Sequence, residues 1–538
     1  MKYYKMKYDK MKYDKIKYIK DFNYSIIDFY YKTKYFIYFN IFLNVIFFNY
    51  IYYKFVGVTN DGLMLLLNYS INLNGCIVIK IIQWLNNHIS FVKNDEHDEH
   101  KNIIITKLFS KYYENCNIHD LNYTKNLFFE EFGYLFDDIF ILDENYSIKS
   151  GSIAQVYKAY FRNNDLNNDF SITNPIAIKV VHPEIKYQIL FPSYFIKIYK
   201  FFVTNFTFLK KYDTIINYDS FFNNLKNQVN MVNEYKNNDY FYNKYINNSI
   251  IVIPKPLLRS KNFLVMEYIE GEFLEKMDVS IYKKQILMSF LCIFIKETYM
   301  FGKYIHCDLH DANWKVLRKK NNEVYEINEV NEVNDDSFTY KIIIYDFGYI
   351  IENNFNEHIK NMTYYLDLNN TYEIGKILID NIENLKIKDK NSLEFLNYKE
   401  DIINTFVKYN ECYYSHTDSN LFACYNFCHS YEYKLKNNLL DLFVSIMLLN
   451  KYLKTYLFSE SNNEVINFNE KKYYNSIYNI NLFYISVCEK YDVFHNVKEF
   501  LNSKYINNTL FIEKIKYNNS YFNSLVENSL IENNNFDI

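Results

Sequence analysis

The sequence predicts an α+β protein in which a helical segment leads into a small sheet with attached helices and then into a mostly helical lobe. Three observations carry this. From about Gly62 to Gly133 apolar residues recur with a 3.6-residue period and few breakers. From Ile148 to Tyr268, β-rich runs (Ala154–Tyr160, Ile176–Val181, Ile251–Ile253, Phe263–Tyr268) alternate with helical stretches. After Gly271 the periodicity is mostly helical again. The expected organisation is a basic arm and apolar segment over 1–60, a helical extension over 61–145, a smaller lobe over 146–270, a helical lobe over 271–460 and a tail over 461–538.

At 538 residues and 49% hydrophobic content, the chain is long enough and apolar enough for two or three domain-sized units. Asn, Lys, Ile and Tyr crowd every segment, and the only arginines are Arg162, Arg259 and Arg318. That bias weakens arguments from local polarity, so the 58 tyrosines say little about base stacking. A net charge of −3 offers no basic field, and no nucleic-acid partner is expected. Eight cysteines (Cys76, Cys116, Cys292, Cys307, Cys412, Cys424, Cys428 and Cys488) show no CxxC pair and read as reduced thiols in an intracellular compartment. Cys424 and Cys428, followed by His429, share a helical spacing but lack a second ligand pair, so they are expected in the core. The run Glu96-His97-Asp98-Glu99-His100 reads as a charged loop rather than a metal site.

The first twenty residues repeat a Lys-Met-Lys-Tyr-Asp unit and carry a net charge of +6. They read either as a targeting segment, against which Asp9 and Asp14 count, or as a solvated low-complexity arm. Phe36 to Tyr53 contains no charged residue and is near the minimum length for a membrane span. Asn40, Asn44 and Asn49 interrupt it, which leaves open a spanning or interfacial helix, a buried helix, or an artefact of the biased composition. Arg162–Asn174 and the acidic, Asn-rich Asn321–Asp336 read as surface insertions.

Phosphoryl transfer needs a loop over the phosphates, a cation on them, oxygen ligands for magnesium and an acidic group near the nucleophile. The sequence offers each in order. Lys149-Ser150-Gly151-Ser152-Ile153-Ala154-Gln155-Val156 is a hairpin of small residues through which backbone N–H groups can approach phosphates. Ile176-Ala177-Ile178-Lys179 is an apolar strand run closed by a lysine; in the kinase pattern that lysine holds the α/β-phosphates and pairs with a helix glutamate, for which Glu234 is the candidate. In His306-Cys307-Asp308-Leu309-His310-Asp311-Ala312-Asn313 the aspartate-to-asparagine spacing is that of the kinase catalytic loop. Asp308 is the expected acid–base group and Asn313 a magnesium ligand. Ile342-Ile343-Ile344-Tyr345-Asp346-Phe347-Gly348 then delivers the second magnesium ligand, Asp346, from an apolar strand.

These residues resemble the UbiB/AarF-type atypical kinase family more closely than ordinary protein kinases. Ser152-Ile153-Ala154-Gln155-Val156-Tyr157-Lys158-Ala159 is similar to that family's alanine-rich loop, Ile178-Lys179-Val180-Val181-His182-Pro183 to its lysine strand, and Leu264-Val265-Met266-Glu267-Tyr268-Ile269-Glu270-Gly271 to its hinge. The resemblance covers about residues 70 to 380. It implies a two-lobed kinase-like fold whose N-terminal helical extension packs over the active site through a Lys-x-Gly-Gln motif. Lys80 and Gln83 fit that motif, and Ile82 stands where its glycine should be. Gln228 and Asn230 replace the family's acidic pair, and Asp311-Ala312 replaces the Pro-Gly of its catalytic loop.

The resemblance further implies ATP and Mg2+ as cofactors, with Lys149, Ser150, Gly151, Ser152, Ala154, Val156, Lys179, Glu267, Lys80 and Gln83 around the nucleotide. It implies ATPase or small-molecule/lipid phosphotransfer rather than protein phosphorylation, in support of ubiquinone biosynthesis. The expected partners are a lipid or quinone precursor, a membrane surface and quinone-biosynthesis proteins. The expected place is the mitochondrial inner membrane, with a plastid membrane as the alternative. A drifted, non-catalytic lipid-binding scaffold is the main rival. An ordinary Ser/Thr kinase is disfavoured because Tyr349 to Asn361 holds no Ala-Pro-Glu segment.

Overall fold

The computed structural model describes residues 2–57, 60–89, 118–146, 148–162, 174–206, 218–320, 338–354, 356–367, 370–385, 392–414, 420–436, 439, 481 and 483–503. The described residues form two compact units: those up to 206 together with 260–263, and those of 218–259 and from 264 onward. Helices and antiparallel sheets follow a helical N-terminal segment, as the periodicities predict.

The first unit opens with three helices, α1 (Lys2–Val56), α2 (Asp61–Asn74) and α3 (Cys76–Ile89). Asn60 caps α2, its Oδ1 accepting the Leu63 N–H at 3.0 Å. Gly75 separates α2 from α3 with φ +76°. The positive φ favours glycine here, and a Cβ would lie 2.7 Å from the Gln188 amide, the end of a side chain that would have to shift. Phe39, Ile71, Val78, Ile79 and Ile82 bury together where these helices meet. Ile82, at the position of the expected glycine, is thus a packing residue, 6% exposed.

The sheet of this unit runs β1 (Phe140–Leu142), β3 (Ala154–Phe161), β4 (Ile176–Val181), all antiparallel, with β2 (Lys149–Ser150) as a hairpin partner of β3. Helix α4 (Leu121–Phe132), capped by Asp120, puts Phe128 against Phe136, Phe140 and Phe263. Its near-complete burial is worth roughly 3 kcal/mol. After β4 the chain turns at Glu184, itself left-handed at φ 64°, into α5 (Ile185–Asn205).

Helix α5 is where α1 docks. Lys34 Nζ and Tyr35 Oη both reach Glu184 Oε2 at 2.8 Å. Tyr31 stacks on Tyr187, and Phe36 and Phe39 meet Phe191 and Phe195 edge-on. Tyr31, Tyr35 and Phe39 recur at four-residue spacing along one face of α1, and Lys34 and Phe36 flank that face. The amides of Asn40, Asn44 and Asn49 donate to the carbonyls of Phe36, Asn40 and Val45, each four residues back. Their polarity is thereby satisfied within the helix. Ser25–Val56 is long and apolar enough to cross a membrane, and 11% of its most apolar stretch is buried. The buried-helix reading of Phe36–Tyr53 is thus not supported.

In the second unit, α6 (Tyr218–Gln228) and α7 (Met231–Tyr245) precede β5 (Ile251–Val252) and the hairpin β6 (Pro256–Arg259)–β7 (Phe263–Glu267), paired through Leu264–Met266. Helix α8 (Ile281–Phe301) is apolar on nearly every side and forms the centre of the core. Around it lie β8 (Tyr304–His306) paired with β11 (Ile350–Glu352), and β9 (Trp314–Lys320) paired with β10 (Phe338–Ile344), which also pairs in parallel with β5. Helices α9 (Asn356–Asp367), α10 (Thr371–Asp380), α11 (Leu393–Tyr414), α12 (Asn420–Ser430) and α13 (His495–Leu501) complete it. Glu297 of α8 binds α7 through Lys244, at 2.7 Å, and through the Tyr245 hydroxyl. Cys424 and Cys428 are fully buried in α12, and burial pushes both thiols up. They pack in the core, and no group of three potential metal ligands occurs among the described residues.

Candidate active site

The second unit gathers Asp308, Asn313, Asp346 and Glu234. Strand pairing sets Ile344 opposite Trp314, so the chain after β10 leaves beside the chain before β9. The Tyr345 N–H donates to the Asn313 carbonyl at 2.8 Å, which places Asp346 one residue beyond Asn313's partner. Asn313, 7% exposed, donates its amide N–H to the Asp308 carbonyl at 2.7 Å. With that nitrogen committed, Oδ1 is the atom of this side chain with lone pairs to offer a metal. The same amide nitrogen stands 3.2 Å from His310 Nε2, and His310 Nε2 lies 3.9 Å from Asp308 Oδ1.

Asp346 sits in the left-handed region at φ 53°, a conformation that aspartate and asparagine tolerate better than other side chains. Its Oδ1 accepts the Gly348 N–H at 3.1 Å. A Cβ on Gly348 would lie 3.0 Å from that oxygen and 3.7 Å from Glu234 Oε2, so the buried Glu234 carboxylate stands beside the Asp-Phe-Gly turn. Phe347 anchors the turn: it stacks on Phe241 of α7, meets His306 edge-on, and its carbonyl accepts the Asn237 amide at 3.0 Å. His306 Nδ1 accepts the Asp308 N–H at 3.2 Å, leaving Nε2 to donate toward the Tyr345 carbonyl. Burial lowers the His306 pKa, against the pull of Asp308 and Asp346, consistent with a neutral ring. Glu267 closes β7, its N–H donating to the Lys255 carbonyl at 2.9 Å.

Asn230 is the N-cap of α7, its Oδ1 accepting the Val232 N–H at 3.2 Å. Gln228 is buried, 3.9 Å from a Cβ placed on Gly348. Of the two residues that replace the expected acidic pair, Asn230 thus caps a helix and Gln228 is buried near the Asp-Phe-Gly turn.

The first unit holds Lys179 and the small-residue loop. Ile176, Ile178 and Val180 are completely buried on one face of β4, and Lys179 lies on the other, with Ala177 and Val181. Lys179 is still 8% exposed and sits opposite Val156. Gly151 N–H donates to the Ala154 carbonyl at 3.0 Å and closes the turn that carries Ser152 and Ile153. Lys149 is exposed, whereas Ser150, Ser152 and Ala154 are buried. Lys80 is half-buried on α3. The side chains of Gln83 and Asp311, the run Glu96–His100, and residues 163–173 and 321–336 of the two insertions lie outside the described residues.

One cluster of the first unit escapes sequence reading. His119 Nδ1 lies 2.9 Å from His182 Nδ1, His182 Nε2 is 3.0 Å from the Gly151 carbonyl, and His119 Nε2 is 3.0 Å from Thr124 Oγ1. Nothing in the sequence around His119 marks it, because its partners are 36 and 63 residues away. Burial lowers the His119 pKa to about 4, with the neighbouring His182 lowering it further and Asp120 opposing. Burial also lowers that of His182, opposed by its bond to Gly151. In the unfolded chain both titrate near 6.5. As pH falls below about 6.5 the unfolded state takes up these protons first, so the contribution to stability, complete above that pH, is lost toward about 4. Urea midpoints measured from pH 7.5 down to 4.5 should fall more steeply for the wild type than for His182→Phe. Parallel profiles would contradict the assignment.

Three comparisons with known proteins bear on this arrangement. The profile of the ABC1 atypical kinase-like domain matches residues 111–377. Two Dictyostelium discoideum proteins are similar: the probable serine/threonine-protein kinase abkB, 28% identical over 207 residues, and abkC, 24% identical over 269 residues. The matches cover 37% and 48% of this chain, and 30% and 36% of the relatives' own lengths. Among solved structures, the Rv3197–erythromycin complex from Mycobacterium tuberculosis aligns with a TM-score of 0.40 at 13% identity, over 70% of this chain and 90% of that one. The Rio2 kinase–ADP/Mg2+–phosphoaspartate complex from Chaetomium thermophilum aligns at 0.26 and 9%, over 66% and 85%. The family profile spans the loop, Lys179, the hinge, the Asp308–Asn313 loop and the Asp346 turn, the motifs on which the UbiB/AarF resemblance rests. Residues 111–377 of this chain are an ABC1 atypical kinase-like domain, the domain of the UbiB/AarF family.

Proposed function

We propose that this protein binds ATP with Mg2+ and uses it for slow hydrolysis or for phosphotransfer to a small molecule or lipid. The observation that carries the reading is the tie between Asn313 and Asp346 through the Tyr345 N–H, with the Asn313 amide turned by the Asp308 carbonyl. Magnesium takes few protein ligands and completes its shell with water and phosphate oxygens, so one carboxylate and one amide oxygen are a fitting donor set. When bound, the ion would screen phosphate charge. In this reading Asp346 and Asn313 hold the metal, Asp308 orients or deprotonates the attacking hydroxyl, Lys179 binds phosphates and Glu234 positions it. The loop 149–156 and Glu267 border the nucleotide, and Lys80 and Gln83 of the extension cap it.

The finer reading is action on a lipid or quinone precursor at a membrane, in support of ubiquinone biosynthesis in a mitochondrion (or, as the alternative, a plastid), alongside quinone-biosynthesis proteins. It rests on the family resemblance. Consistent with it, α1, α2 and α5 leave many large apolar side chains exposed, among them Phe29, Phe48, Phe55, Leu65 and Phe201. The second reading is a drifted scaffold without turnover. The packing of Ile82 in the core of the extension favours it, since the close approach that a glycine would give is lost there.

The 538-residue chain with ATP–Mg2+ at about 100 times Kd should gain ~2.7 kcal/mol, a rise in Tm of several degrees. Hydrolysis should be faster with anionic liposomes carrying a quinone-precursor mimic than with generic protein substrates. Binding without hydrolysis under any of these conditions would select the scaffold. No binding would remove the nucleotide reading altogether.

A further inference from the structure

The buried cluster around His119 and His182 has only one consistent pattern of donors and acceptors when every group is neutral. His182 Nε2 has two partners, the Gly151 carbonyl at 3.0 Å and the Ser150 hydroxyl at 3.4 Å; the nearer carbonyl can only accept, so Nε2 carries the proton, Ser150 Oγ is a longer second acceptor, and His182 Nδ1 is an acceptor. His119 Nδ1, 2.9 Å away, must then be the donor. His119 Nε2 is consequently an acceptor, and the Thr124 hydroxyl donates to it at 3.0 Å. Thr124 Oγ1 in turn accepts from the Tyr157 hydroxyl at 2.9 Å, and Tyr157 accepts from Gln155 Nε2. Gln155, with no exposed surface, also holds the backbone of His119 in both directions: its Oε1 accepts the His119 N–H at 2.8 Å and its Nε2 donates to the His119 carbonyl at 3.2 Å.

The chain therefore runs one way, from Gln155 through Tyr157, Thr124, His119 and His182 to the Gly151 carbonyl. It begins and ends on the two flanks of one turn. Ser150 and Gln155 are a cross-strand pair, and between them lie Gly151, Ser152, Ile153 and Ala154. The His182 N–H also donates to the Ile153 carbonyl at 3.0 Å, so one residue grips the turn by its main chain and its ring. Gly151 has a φ open to other residues and its nearest neighbour to an added Cβ is at 3.7 Å, so glycine alone does not fix the shape of this turn.

We propose that His119 and His182 are positioning residues that lock the 150–154 turn through this directional chain, and that nucleotide affinity depends on the lock. The proposal rests on the ATP–Mg2+ reading given above, because that reading makes the turn the cover of the phosphates. Neither imidazole needs to touch a ligand. Each acts through the carbonyls and the tautomer it imposes on the next group. Thr124 is the telling member: it lies on α4, outside the turn, and its hydroxyl joins the two flanks, reaching Gly151 through the two rings and Gln155 through Tyr157.

The test uses the 538-residue chain and ATP–Mg2+. His182→Phe removes the ring donor, and Thr124→Val removes the hydroxyl at nearly constant shape. Amide hydrogen exchange without nucleotide should speed up at residues 150–153 in both variants while β4 stays protected. The Kd for ATP–Mg2+ should rise roughly tenfold in His182→Phe, as for a lost buried hydrogen bond, and by less in Thr124→Val. If His182→Phe loosens the whole sheet, Thr124→Val decides. Wild-type exchange at 150–153 in Thr124→Val, with wild-type affinity, would overturn the proposal. If the wild type itself fails to bind ATP–Mg2+, the nucleotide reading falls, and with it the dependence of affinity on the lock. The exchange measurement then decides the lock alone.

Discussion

Asp346→Asn should abolish stabilisation by ATP–Mg2+ while leaving the unliganded protein close to wild type. The expectation follows from what asparagine keeps and what it removes. At φ 53° asparagine is as well tolerated as aspartate, and its Oδ1 can still accept the Gly348 N–H now bonded at 3.1 Å. The turn, the stacking of Phe347 and the neighbouring Glu234 are therefore undisturbed. What disappears is the negative charge that a hard divalent cation requires. At about 100 times the wild-type Kd, the ligand contributes ~2.7 kcal/mol and the variant should show almost none of it. Differential scanning with ATP, with Mg2+ and with both reads this directly. A variant that keeps the full ATP–Mg2+ shift would remove Asp346 from the metal site, and one whose unliganded Tm collapses would show that the charge serves the fold.

Phe347→Ala should be the most damaging single truncation near the site. The ring is 1% exposed, its centroid lies 5.0 Å from that of Phe241 and 5.4 Å from that of His306, and it joins α7 to the residues that follow β10. Removing a fully buried phenyl ring costs about 3–5 kcal/mol, through lost transfer energy and an unfilled cavity. That is a large share of the ~5–15 kcal/mol by which a domain is usually stable. Phe347→Leu keeps most of the volume and should cost ~1.5 kcal/mol or less. Urea unfolding of the three proteins should rank them in that order. An alanine variant within 1 kcal/mol of wild type would mean that the pocket collapses around the loss.

The residues of the nucleotide motifs were legible because their spacing is set along the chain. A strand delivering Asp346 and a loop carrying Asp308 and Asn313 five residues apart are local patterns, and the pairing of β9 with β10 brings them together. The strands 154–161, 176–181 and 263–267 were legible for the same reason, as apolar runs at strand length. The His119–His182 cluster was not, since residues 119, 124, 155 and 182 meet only through folding. The capping role of Asn230 was not legible as such: the sequence shows only that it stands where the family has an acidic residue, whereas the fold makes it an N-cap, a place that asparagine and aspartate both suit. Continuity of α1 was hidden by composition. The lysine repeat reads as a polar arm, whereas one helix runs from Lys2 to Val56.

That helix has a mechanical consequence. With 55 residues rising about 1.5 Å each, α1 is a rod roughly 80 Å long. Its Lys34 and Tyr35 are fastened to Glu184, which lies five residues after Lys179 along the chain. The fastening is near the middle of the rod, so either end has leverage over it. A sideways force on an end would become a torque on the turn that joins β4 to α5, and the glutamate at that turn already holds a left-handed backbone with little freedom to yield. Stiffness in α1 would thus be felt in the strand that carries the lysine.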